Sequence, residues 1–146
     1  DVKGQPVQFF EKNGDLWLYS FDAGKVYFQS FRKDNFTLKS LKEIGLSSAT
    51  NRMSLGSGNR IYVITSSGWP DYRDAVALVN FNDNSFTPAW KAGSGFYGIG
   101  YDVERGELYV ANAKGFQGNG EVVIYTEQGT ELRKMEVGRG PSGFLF

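Results

Sequence analysis

A four-segment unit recurs three times in this chain. Its second segments read Leu16-Trp17-Leu18, Ile61-Tyr62-Val63 and Leu108-Tyr109-Val110, with 45 and 47 residues between their starts. Its third segments, Val26-Tyr27-Phe28, Val76-Ala77-Leu78 and Val122-Val123-Ile124, recur in step at intervals of 50 and 46. Each segment is short, rich in β-branched and aromatic residues, and bounded by glycine or an Asn/Asp turn, which suits a pleated, half-buried strand. A period of this size built from four such strands is the mark of a β-propeller blade, a sheet that buries its faces only by stacking on neighbouring sheets.

The units run over Pro6 to Gly45, Ser48 to Gly93 and Phe96 to Gly138, and Pro141 to Phe146 reads as the first, inner strand of a further unit. The expected fold is all-β: a single partial propeller over residues 1–146, with three four-stranded antiparallel blades and one extra strand. Propellers close with about four to eight blades, so three leave apolar faces in need of cover. Lys3-Gly4-Gln5-Pro6 resembles Arg139-Gly140-Pro141, which puts both ends at blade junctions. The remaining blades are therefore expected as partners, supplied by the same chain or by another one.

Composition narrows the chemistry. Sixteen basic and sixteen acidic residues cancel, so no global field draws nucleic acid. Cysteine and histidine are both absent, which removes disulfides, thiolate catalysis, the Ser/His/Asp arrangement and the common zinc motifs. No apolar run has the length of a membrane-spanning helix. Glycine falls between segments while the twelve phenylalanines, eight tyrosines and three tryptophans fall largely inside them. Leu38 to Ile44 has leucines three apart, as in a helical turn, but its place after a hairpin makes it an outer strand.

Leu108-Tyr109-Val110-Ala111-Asn112 resembles the YVTN repeat of the YncE-like and surface-layer-type propellers, and Val137-Gly138-Arg139-Gly140-Pro141 resembles that family's V-G-x-x-P junction. The likeness is close over about the last fifty residues and loose before them. It implies a seven-bladed ring whose C-terminal part this would be. It also implies export to the periplasm or cell surface of a Gram-negative bacterium, lipid anchoring of the full-length protein, and a binding role without catalysis. A corrinoid such as cobalamin, or an outer-membrane partner protein, is the ligand class that the family brings with it.

Function should sit where loops are long. The loop between second and third strands is tight in the first unit, Ser20 to Gly24, but extends over Ser66 to Asp74 in the second and Ala113 to Gly120 in the third. Aromatic rings beside polar groups on long loops are what a binding face requires. The candidate ligand contacts are Trp69, Tyr72, Arg73, Asn112, Phe116 and Asn119; no catalytic residue, metal site or cofactor is assigned. The bland alternative is that these rings fold back onto the blade edges. Asp71 with Asp74, and Asp102 with Glu104, could each be read as a catalytic carboxylate pair, but each shares one loop or hairpin rather than straddling a cleft; Asp71 and Asp74 with nearby carbonyls could also hold calcium, though without EF-hand-like spacing. Two other readings remain: a propeller enzyme of lactonase or quinoprotein type with its catalytic residues on further blades, and a pure scaffold.

Overall fold

The computed structural model describes all 146 residues. Twelve strands form three four-stranded antiparallel sheets, with one short 3-10 turn at Lys114–Phe116 as the only helical element. The first sheet is β1 (Gln5–Lys12), β2 (Asp15–Phe21), β3 (Val26–Phe31) and β4 (Leu38–Ile44), in that spatial order. The second is β5 (Ala49–Leu55), β6 (Arg60–Ser66), β7 (Asp74–Asn80) and β8 (Phe86–Gly93), and the third is β9 (Phe96–Asp102), β10 (Glu107–Asn112), β11 (Gly120–Thr126) and β12 (Glu131–Val137). Sequential strands pair throughout, so each sheet is a meander that takes its register from its own hairpins. Leu38 to Ile44 is a strand, as its place after the hairpin implied.

The chain divides into two compact units, residues 1–51 and 52–146. In the first, the central strands β2 and β3 are buried along nearly their whole length and carry Trp17, Leu18, Tyr19, Val26, Tyr27 and Phe28. Phe10 meets Phe28 edge-on at 5.9 Å, and Tyr19, whose hydroxyl donates to the Thr50 carbonyl at 2.7 Å, lies 5.8 Å from the same ring. Burial pushes the Tyr19 phenol far above its ordinary range. The segment before β1 is fastened by two fully buried polar side chains. Lys3 donates its N–H to Gln29 Oε1 at 2.9 Å, and its carbonyl accepts from Ser20 Oγ at 2.6 Å and Gln29 Nε2 at 3.2 Å.

In the second unit two sheets stack. Because side chains alternate along a strand, β10 sends Leu108 and Val110 to one face and Tyr109 and Ala111 to the other. Leu108 and Val110, with Tyr101, Ile99, Phe96 and Tyr125 beside them, pack against Tyr62, Val76, Leu78 and Trp90 of the second sheet. Burying a residue of this size contributes about 1.5–3 kcal/mol, so this contact contributes substantially to the cohesion of the two sheets. Tyr62 stacks on Tyr101 at 6.1 Å and meets Trp90 at a tilt, 5.4 Å away.

The opposite face of the third sheet carries Tyr109, Ala111, Val122 and Ile124. Residues 141–146 lie across it without forming a ladder. A Cβ on Gly98 would come within 2.9 Å of the Ser142 backbone, and one on Gly100 within 2.9 Å of the Phe144 side chain, so both glycines make room for this segment. Phe144 and Phe146 sit 5.6 and 5.0 Å from Tyr109. Pro141 to Phe146, expected as an inner strand, form no ladder and lie against this face through Phe144 and Phe146. A left-handed residue precedes each such position: Gly4 (φ +68°) before β1, Ser48 (+59°) before β5, Gly95 (+71°) before β9 and Gly140 (+64°) before residue 141.

Candidate functional site

The β6–β7 connection is a finger whose main chain is closed on itself. The ladder ends at the pair Ser66 and Asp74. Beyond it, Ser67 N–H donates to the Arg73 carbonyl at 3.0 Å, Arg73 N–H to Ser67 Oγ at 2.9 Å, Tyr72 N–H to the Gly68 carbonyl at 2.9 Å and Gly68 N–H to Ser66 Oγ at 3.1 Å. These polar groups are satisfied inside the finger, and its large side chains stand in solvent. Trp69 is 81% exposed and Tyr72 51% exposed. Tyr72 also sits at φ +41°, a left-handed conformation that a bulky residue adopts only under constraint. Arg73 Nη2 lies 3.4 Å from Asp71 Oδ2, with both side chains in solvent.

Asp74, at the finger's base, behaves differently from Asp71. It is 5% exposed and accepts the Phe96 N–H at 2.9 Å, tying the start of β7 to the start of β9. The two aspartates therefore have separate partners and separate environments, and they do not act as a carboxylate pair. Asp102 likewise accepts the Glu104 and Arg105 N–H groups at 3.0 and 3.1 Å and shapes a turn. No group of three or more acidic side chains is placed to hold a metal ion.

The β10–β11 connection takes the opposite course and folds inward. Ala113 N–H donates to the Gly95 carbonyl at 2.9 Å, Asn112 Nδ2 to the Ser94 carbonyl at 2.7 Å, and Asn112 Oδ1 accepts the Lys114 N–H at 2.8 Å. Asn119 Nδ2 donates to Glu136 Oε1 at 2.8 Å. Both asparagines thus spend side-chain hydrogen bonds on holding the loop. Phe116, at φ +61° and 48% exposed, meets Tyr97 edge-on at 4.8 Å, and the Arg52 guanidinium lies 4.6 Å over the Tyr97 ring.

Of the six sequence-derived candidates, Trp69, Tyr72 and Arg73 share the finger, Asn112 and Phe116 share the second loop, and Asn119 is fastened to β12. Arg52 and Tyr97 were not foreseen; they lie on the inner strands β5 and β9, where sequence offers only alternation. In the first unit the equivalent loop is a closed turn. Asp22 Oδ1 accepts the Gly24 and Lys25 N–H groups, and Asp22 Oδ2 accepts the Tyr27 hydroxyl at 2.5 Å. These bonds hold the Asp22 carboxyl below its ordinary range and raise the Tyr27 phenol to about 12.

At the other end of the second unit, Glu127 accepts the Tyr101 hydroxyl and pairs with Arg60 at 3.3 Å. Hydrogen bonds from Ser57 and Tyr101 hold its carboxyl below the ordinary range, while burial raises the neighbouring Tyr62 phenol to about 12. A cavity of about 910 Å³ opens beside residues 141–146, lined in part by Val103, Tyr109, Val122, Met135 and Val137. None of the six candidates lines it.

No protein-family model and no curated protein matches the chain. Solved structures do. The quinonprotein alcohol dehydrogenase-like protein of Bacteroides thetaiotaomicron superposes with a TM-score of 0.65 at 20% identity, over 86% of this chain and 32% of its own. The β-propeller domain of the Trilobed protease of Pyrococcus furiosus, which has an open velcro topology, superposes with a TM-score of 0.60 at 10% identity, over 95% of this chain and 45% of its own. The chain thus spans less than half the length of either neighbour. At these identities the likeness establishes the fold alone: this is an all-β chain of three propeller blades.

Proposed function

We propose that the chain belongs to an exported, non-enzymatic propeller that binds a small ligand or a partner protein through its long-loop face. One observation carries this reading. The β6–β7 finger holds its backbone closed while leaving Trp69 and Tyr72 in water, where burial against the sheet would have been the cheaper arrangement. The YVTN-like residues Leu108 to Asn112 and Val137 to Pro141 support membership of that repeat family, and with it export, a lipid anchor and a corrinoid such as cobalamin as one ligand class. Further blades complete the ring, from the same or another chain, because propellers close with about four to eight blades and three are present here. The test is to titrate the complete protein with cobalamin and a metabolite panel, reading thermal shift and visible absorbance. Replacing Trp69 and Phe116 by alanine abolishes uptake at an unchanged melting temperature; loss of both together would mean packing.

A second reading is favoured by the Bacteroides neighbour, whose name places it with alcohol dehydrogenase-like quinoproteins. On that reading the catalytic groups lie on blades beyond these three, and the same panel gives turnover without retained colour. A scaffold gives neither.

A further inference from the structure

The finger's tip combines features that select one ligand chemistry. We propose that Trp69, Tyr72, Asp71 and Arg73 form a platform for a neutral, hydroxyl-rich ligand, an oligosaccharide or polysaccharide chain. This rests on the long-loop face being the binding face, and names what that face takes.

Shape comes first. A small molecule is held by a concave site that encloses most of its surface. Trp69 is 81% and Tyr72 51% exposed, so these rings can cover one side of a ligand rather than surround it. A chain of sugar rings needs no more than that. Each ring offers an apolar face of C–H groups, which lies against the electron-rich face of an indole or phenol, and a rim of hydroxyls that remains in water or meets polar side chains.

Polar chemistry agrees. Each sugar hydroxyl both donates and accepts, so two neighbouring ones are matched by an acceptor and a donor side by side. Asp71 and Arg73 supply that pair, 3.4 Å apart, with side chains 61% and 82% exposed. Their charges cancel, which gives the tip no attraction for phosphate or for an anionic membrane. Asp74 does not contribute, being buried on the Phe96 N–H.

A protein groove would also welcome Trp, Tyr and Arg, the residue types that dominate protein interfaces. It would have to strip water from the Asp71–Arg73 pair, whereas saccharide hydroxyls replace that water bond for bond. The closed backbone of the finger fixes the main chain that carries both rings before the ligand arrives, which lowers the part of the ordering cost that falls on the loop.

The experiment is calorimetric titration of the full chain with cellohexaose, xylohexaose, mannohexaose and chitohexaose, with cobalamin and a random-peptide pool run in parallel. At least one hexasaccharide binds with Kd of about 10⁻⁵ to 10⁻³ M. Trp69→Ala weakens it at least about tenfold at an unchanged melting temperature, Trp69→Phe holds within a few-fold of the parent, and Asp71→Ala loses a few-fold, since one good contact is a factor of about ten. Absence of saturable heat from all four sugars overturns the proposal, as does equal binding by Trp69→Ala. Trp69-dependent binding of cobalamin or peptide without any sugar also overturns it, while leaving the binding face intact. Loss of Trp69 dependence for every probe removes both readings together.

Discussion

The two faces of the third sheet are drawn from alternate residues of the same strands, yet they meet different fates. On one, Leu108, Val110 and Tyr101 lock into Tyr62 and Val76 of the second sheet, rim to rim with the Glu127, Arg60 and Tyr101 cluster. On the other, Tyr109, Ala111, Val122 and Ile124 meet residues 141–146, which form no ladder, and a cavity of about 910 Å³ opens beside that segment. Both faces are apolar, so hydropathy alone does not tell them apart. The difference lies in neighbours, and it teaches that a blade is a complete secondary structure but only part of a stable unit.

Substitutions on each face sharpen that contrast. The largest effect belongs to Leu108→Ala, which opens a cavity in the stacked face and lowers unfolding free energy by about 2–5 kcal/mol in urea titration. A loss under about 1 kcal/mol would break the claim that this contact contributes substantially to the cohesion of the two sheets. Gly100→Val comes next. Its new side chain collides with Phe144 and drives residues 141–146 off the sheet, at about 1–3 kcal/mol, with faster proteolysis of that segment as its signature.

Smaller still is an acid effect at the rim. Ser57 and Tyr101 favour the ionised Glu127, so its folded pKa lies below the unfolded value. The resulting stabilisation is present above the ordinary glutamate pKa of about 4.3 and is lost as pH falls through the lowered value. Glu127→Gln flattens the acid limb of the melting curve relative to the parent; identical limbs would show that the carboxylate contributes nothing there. The smallest expected change is at the finger, where Trp69→Ala leaves stability within about 0.5 kcal/mol, because an 81% exposed ring has little packing to lose.

The two long loops make a second contrast. Each has a large aromatic near its middle and polar residues around it, and sequence alone placed both among candidate contacts. In the second loop Asn112, at the end of β10, reaches the Ser94 carbonyl, so the loop is drawn down and Phe116 rests on Tyr97. In the finger the serines at 66 and 67 bind the finger's own backbone, so nothing draws it inward. The folding-back alternative therefore describes Phe116 in part and fails for Trp69. That distinction depends on which carbonyl lies within reach of a side chain, and spacing in a sequence does not carry it.

Alternation of apolar and polar residues, a period near 46, and turn residues between segments were enough to define twelve strands, their pairing in order and the blade as the repeating unit, because these are local consequences of backbone geometry and hairpin closure. The left-handed residue at each junction was half visible, as glycine at 4, 95 and 140, and hidden at Ser48, where the fold imposes a conformation that the residue does not prefer. Tertiary structure alone decided which face of the third sheet is covered, that Asp71 and Asp74 part company, and that Arg52 and Tyr97 join Phe116. Each of these depends on residues distant in sequence being brought within a few ångströms, which only the packing of whole sheets can do.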